Sequence, residues 1–147
     1  MLAMILAMSA SAIAQPPLHP WAVLVGHCWT GDAPGGQGTD KHCFESVYGG
    51  QHIRDRHVVT VSGREVYAGE AIYSAKGTQV IFTYWNSLGG VGTGTAILTG
   101  DEWRFGGTIH ASATGAEQPM TAVWKIGPNG YQVTEEGAPP RILKRAD

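Results

Sequence analysis

The residues able to do chemistry gather in two places. The first is His52-Ile53-Arg54-Asp55-Arg56-His57, the most charged stretch of the chain. On an extended strand, successive side chains alternate between faces. His52, Arg54 and Arg56 then share one face, and Ile53, Asp55, His57 and Val59 share the other. The second set is the more apolar, so it is expected to face inward and carry Asp55 and His57 toward an interior. A buried Asp-His pair can act as a proton acceptor, or it can be a satisfied hydrogen-bond pair. The opposite register would line the interior with Arg54 and Arg56. That arrangement suits an anionic group such as a fatty acid carboxylate.

The second place is the pair of dipeptides His27-Cys28 and His42-Cys43. On two paired strands both cysteines would lie on one face and both histidines on the other. A metal site on His27 and His42 would need three or four ligands, and no other spacing supplies them. The expectation is a Cys28–Cys43 disulfide with incidental histidines and no metal. Closing a loop of about 15 residues contributes about 3 kcal/mol in the chain-entropy account. Six histidines are present, but no spacing singles out an axial ligand for haem, and no cofactor is expected.

Other catalytic signatures are missing. The chain has no His-Glu-x-x-His, no Cys-x-x-Cys and no Gly-x-Ser-x-Gly elbow. Gly90-Val91-Gly92-Thr93-Gly94 is glycine-rich but has no following helix to receive a phosphate, so it reads as a tightly curved strand. Aromatic residues are the other resource. Phe44 with Tyr48, Tyr67 with Tyr73, Phe82 with Tyr84, and Trp103 with Phe105 each share a strand face, and Trp124 stands on a later one. Turned inward, they would form either a filled core or an aromatic-lined cup with phenol hydroxyls as anchors. The candidate ligand-contacting residues are Tyr48, Arg54, His57, Tyr67, Tyr84, Phe105 and Trp124.

The elements that must position these residues are short alternating runs with turn signals about every 8–12 residues. Strands are expected at 27–31, 40–48, 52–61, 65–74, 78–85, 92–98, 103–110, 120–126, 131–135 and 141–144. Pro128-Asn129-Gly130 is a hairpin signal. Pro16, Pro17 and Pro20 mark an extended arm, with room for one helical turn at 21–25. Short connections imply sequential antiparallel pairing. Closing a long meander into a barrel removes its edges. The expected class is all-β, a single antiparallel up-and-down barrel of eight to ten strands, with a two-sheet sandwich as the runner-up.

Composition fits one exported domain. Of 147 residues, 21 are glycine and 15% are charged, with a net charge of −2 and no basic stripe for nucleic acid. Residues 1–14 form an apolar run ending in Ala12-Ile13-Ala14, which fits a cleaved signal peptide, although no Lys or Arg precedes it. The run is shorter than the ~20 apolar residues a bilayer span needs. The expected layout is a signal peptide over 1–14, an arm over 15–25 and a barrel over 26–147. The expected location is the periplasm or outside the cell.

Leu24-Val25-Gly26-His27-Cys28-Trp29-Thr30-Gly31 places Gly-x-x-Trp-x-Gly at the mouth of the first strand. This resembles the Gly-x-Trp entry of lipocalins and related calycin barrels, with one extra residue. Glu102-Trp103-Arg104-Phe105-Gly106-Gly107-Thr108, Val123-Trp124 and Gly130-Tyr131 are similar to small exported bacterial lipocalin-like domains. The resemblance implies that Trp29 closes one barrel end under a basic side chain, here Arg141, Lys144 or Arg145. It also implies a binding module for a small apolar or amphipathic molecule. The alternatives are a small-substrate enzyme using Asp55 and His57 at the barrel mouth, or a structural or inhibitory partner of an envelope protein.

Overall fold

A computed structural model describes residues 16–147. The leader expected over 1–14 lies outside the described residues. Ten strands follow one another: β1 (Cys28–Asp32), β2 (Thr39–Val47), β3 (His52–Val61), β4 (Arg64–Lys76), β5 (Gln79–Asn86), β6 (Val91–Thr99), β7 (Glu102–His110), β8 (Glu117–Gly127), β9 (Gly130–Glu135) and β10 (Arg141–Arg145). Each pairs antiparallel with its sequence neighbours, and β1 pairs with β10, so the sheet closes into an up-and-down barrel. The two-sheet sandwich is thereby excluded. The closing seam is short, with Trp29 opposite Arg145 and Thr30 opposite Lys144. No described helix is long and apolar enough to cross a membrane.

The turns have simple causes. Ser62 and Gly63 both adopt positive φ between β3 and β4, the backbone a two-residue hairpin needs. Close approach explains a glycine pair: a Cβ on Gly94 would meet the Gly106 carbonyl oxygen at 2.3 Å, and one on Gly107 would meet that of Thr93 at 2.2 Å. These glycines let β6 and β7 press together at a bend.

Cys28 and Cys43 stand directly opposite in the β1–β2 register with Cα atoms 4.1 Å apart, and they form the disulfide. Their neighbours Trp29 and His42 point to the other face, into the barrel.

One end of the barrel is closed by a segment the sequence places only as an arm. Pro16–Val23 forms a 3-10 helix. Its apolar residues Leu18 and Trp21, with Leu24 just beyond, recur every third position, which matches the three-residue turn of that helix. All three are fully buried in the core. The Trp21 ring enters the barrel and packs against Tyr73, Trp103, Phe105 and Trp124 at centroid distances of 4.6–5.9 Å. At about 25 cal/mol per Å², burying a side chain of this size contributes roughly 4–6 kcal/mol. Trp29 is also fully buried here and donates its indole N–H to the Leu24 carbonyl.

Candidate functional site

From the closed end toward the mouth the bore changes character. A cavity of about 650 Å³ opens above the aromatic layer. One wall is apolar, built from Phe82, Phe105, Ile109, Met120 and Trp124. The facing wall is a polar chain contributed by β2, β3, β4 and β5.

That chain is continuous. The register sets His42 opposite His57, Asp40 opposite Val59 and Phe44 opposite Asp55. Alternation turns Asp40, His42, Asp55 and His57 inward together. Asp55 accepts from His42 Nδ1 at 2.8 and 3.0 Å. His42 Nε2 reaches Asp40 Oδ2 at 3.2 Å. Asp40 Oδ1 accepts from His57 Nδ1, also at 3.2 Å. His57 Nε2 lies 3.0 Å from the Tyr84 hydroxyl, which touches the Tyr67 hydroxyl. Arg141 reaches in from β10, donating to Asp40 Oδ2 at 3.3 Å and to the Asp32 carbonyl at 2.9 Å. Its other arm lies 3.6 Å from Glu135.

Gly69 of β4 makes room for one link. A Cβ there would sit 2.4 Å from His57 Nε2 and 2.5 Å from the Tyr84 oxygen. Any larger residue would separate the two groups.

Burial and pairing set the charges. Asp40 and Asp55 are almost fully buried. Burial works to raise the Asp40 carboxyl, but hydrogen bonds from His42 and His57 outweigh it and hold it well below the usual carboxylate range. Burial works to lower His42, yet the Asp55 and Asp40 carboxylates on its two nitrogens hold it at about 10. His42 is therefore an imidazolium at neutral pH. Burial, and then the contact with Tyr67, pushes the Tyr84 phenol far up, so it stays a neutral hydroxyl.

Asp40, His42 and His57 bring ligand atoms within 4.8 Å of one another. The two imidazole rings, however, are stacked 4.5 Å apart and 19° from parallel. Their in-plane lone pairs run side by side, so they cannot meet on one ion without a ring turning. Each nitrogen also already has its own partner. The trio is a hydrogen-bonded chain rather than a preformed ligand set. His27 stands apart from it, near Asp147 at 3.6 Å.

Of the residues expected to contact a ligand, His57, Tyr67, Tyr84, Phe105 and Trp124 line this cavity. Tyr48 and Arg54 do not. Tyr48 follows the end of β2 in a left-handed conformation and is 78% exposed. Arg54 lies on the outward face of β3, where its Nε donates to Glu45 at 2.8 Å. Even register is the reason: Asp55 and His57 take the inward positions, so Arg54 and Arg56 must face out. The Asp-His pairing also differs from expectation. Asp55 serves His42, and the carboxylate on His57 is Asp40.

Arg141 is a second correction. It stands at the mouth against Asp40 and not over Trp29, because β10 runs from the mouth at Arg141 to the closed end at Arg145. Arg145 is the register neighbour of Trp29, but its guanidinium meets Asp147 at 3.4 Å. The ring partners of Trp29 are His27 and Tyr131.

Sequence reasoning misses Asp40, sets His42 aside as incidental to the disulfide, and misses the packing role of Trp21. The signal for the first two was present: alternation along Asp40, His42 and Phe44 opposes the Cys43 face. No family model matches the chain, and no curated protein matches it.

Proposed function

We propose that this barrel is an exported, lipocalin-like binding module for a small, largely apolar molecule that carries a polar group. The observation that carries the reading is the cavity itself. Its volume of about 650 Å³ falls within the 300–1,000 Å³ common for small-molecule sites. An aromatic wall faces a convergent polar one, the combination that buries a ring or chain while orienting one end. The disulfide and the apolar leader support an oxidising, non-cytoplasmic location.

Native mass spectrometry of protein purified from its own host tests the reading. The expected result is a co-purifying small molecule that leaves on mild denaturation. A clean apo mass, together with no binding across a lipid and aromatic panel, overturns it.

One observation favours a second reading as an enzyme. His57 is oriented by Asp40 and reaches the cavity beside Tyr84, which is the arrangement of an oriented general base. Under this reading, His57→Gln abolishes turnover of a cavity-sized substrate while ligand binding persists.

A further inference from the structure

Carboxylates outnumber cations in the cavity lining, and the imbalance bears on what the proposed ligand carries. Asp40, Asp55, Glu135 and Glu136 all line it, and they face Arg141, His42 and His57. Arg141 is the only Lys or Arg among the described lining residues. The lining is therefore negative whether His57 carries one proton or two, because three cations cannot match four carboxylates. The deep carboxylates are already paired. Asp55 holds His42, and Asp40 is shared by His42, His57 and Arg141. The unmatched charge is left at the rim, on Glu135 and Glu136.

The two rim carboxylates differ in what they touch. Glu135 ends β9 and lies 3.6 Å from the second arm of Arg141. Glu136, one residue on, is exposed, and its carboxylate accepts from the Thr121 hydroxyl at 3.3 Å. Among the described residues, no Lys, Arg or His pairs with it. Thr121 stands on β8 next to Met120, and both line the cavity. Glu136 therefore sits at the edge of the apolar wall, which continues inward through Met120, Phe105 and Trp124. A carboxylate at the edge of an aromatic wall is the setting for a hydrophobic cation. The body is buried against the rings while the charge stays at the wet rim and sheds little of its hydration. An anionic group meets the opposite conditions. Arg141 is already donating to Asp40 at 3.3 Å and to the Asp32 carbonyl at 2.9 Å, and taking it away would leave a buried carboxylate uncompensated.

We propose that the cavity selects an organic cation, an alkylamine on a compact apolar body, with the body against Phe105, Met120 and Trp124 and the ammonium on Glu136 at the rim. The inference rests on the proposed binding role of the same cavity.

Three matched probes separate the two ideas. Purified protein is titrated at pH 7 with 2-naphthylmethylamine, 2-naphthylmethanol and 2-naphthoate, and binding is followed by isothermal titration calorimetry. In about 10 mM salt the amine is expected to bind about fivefold more tightly than the alcohol, the upper range for one exposed ion pair. 2-Naphthoate is expected to bind more weakly than either. In about 1 M salt the advantage of the amine shrinks to about twofold or less. In Glu136→Gln it shrinks to about twofold or less already at low salt, while the Kd of the alcohol stays unchanged. That unchanged Kd also shows that the variant is folded with its cavity intact. Tighter binding of 2-naphthoate than of the amine overturns the inference and leaves the binding role standing. So does equal binding of amine and alcohol at low salt, or a full amine advantage in Glu136→Gln. Failure of all three probes to bind overturns the binding role itself, and the inference with it.

Discussion

At the closed end of the barrel Trp21, Trp29 and Leu24 are fully buried and fill the bore, whereas near the mouth the inward positions carry Asp40, His42, Asp55 and His57 beside open volume. Both regions use the same strands and the same period-two alternation. They differ in how polar atoms are treated. The closed end leaves the Trp21 indole nitrogen and the Tyr131 hydroxyl buried without a hydrogen-bond partner. Near the mouth the carboxylates, imidazoles and phenols of the polar wall are all joined in one chain. Apolar contact carries one end even with unsatisfied atoms, because large rings bury so much area. The other end buries charge, which is tolerable only with every partner in place.

The largest break in this comparison is expected from Trp21→Ala. Removing the ring empties the plug beneath Tyr73, Trp103 and Trp124 and should cost about 3–5 kcal/mol. Thermal unfolding followed by circular dichroism reads it. A change within about 0.5 kcal/mol would show that the 3-10 helix rests on the barrel without supporting it.

Asp40→Asn should come next. It withdraws the one carboxylate shared by His42, His57 and Arg141, and breaking a buried pair in this way costs about 3 kcal/mol or more. The pH profile sharpens the test. His42 is raised in the folded state from 6.5 to about 10, so its contribution is fully present below pH 6.5 and is lost as pH rises toward 10. Asp40 is depressed, so its contribution is present above its ordinary value of 3.8 and is lost as pH falls below it. Urea unfolding of the unaltered protein should therefore show a plateau between about pH 4 and pH 6.5 and a decline on both sides. In Asp40→Asn the alkaline decline should be shallower, since only Asp55 still holds the His42 proton. An equal decline in both proteins would mean that Asp40 does not share His42.

The difference between the two ends also explains what could be read from the sequence. Strand order, the inward face of β3 and the sets of residues that share a face on β4, β7 and β8 follow from alternation, because a one-residue slip would split an apolar set; that the sets on β4, β7 and β8 point inward is visible only once the barrel closes. The disulfide follows from two cysteines at strand positions that pair. Alternation reports a face but not a partner, which is why it places Asp55 and His57 on the correct wall yet leaves Asp40 unremarked and His42 incidental to the disulfide. Pairing across β2 and β3 depends on a register set by the turn at 48–51, where Tyr48 takes a positive φ. Alternation carried past the strand end at Val47 puts Tyr48 inside, whereas the turn exposes it. Trp21 is hidden because three prolines read as an extended arm, although its spacing of three from Leu18 and Leu24 fits the tighter helix.

The smallest effects are the most discriminating, because the same substitution should have opposite signs at the two ends. Tyr84→Phe removes a hydroxyl that bridges His57 and Tyr67, so it should destabilise by about 1 kcal/mol. Tyr131→Phe removes a buried hydroxyl that has no partner and keeps the ring that packs on Trp124 and Phe44. It should be neutral or stabilise by up to about 1 kcal/mol. Chemical denaturation of the two variants beside the parent protein gives both values in one experiment. Loss of stability in Tyr131→Phe equal to that in Tyr84→Phe would mean that the Tyr131 hydroxyl is hydrogen-bonded in solution. The closed end would then obey the same rule as the mouth, with no buried polar atom left unpaired around Tyr131.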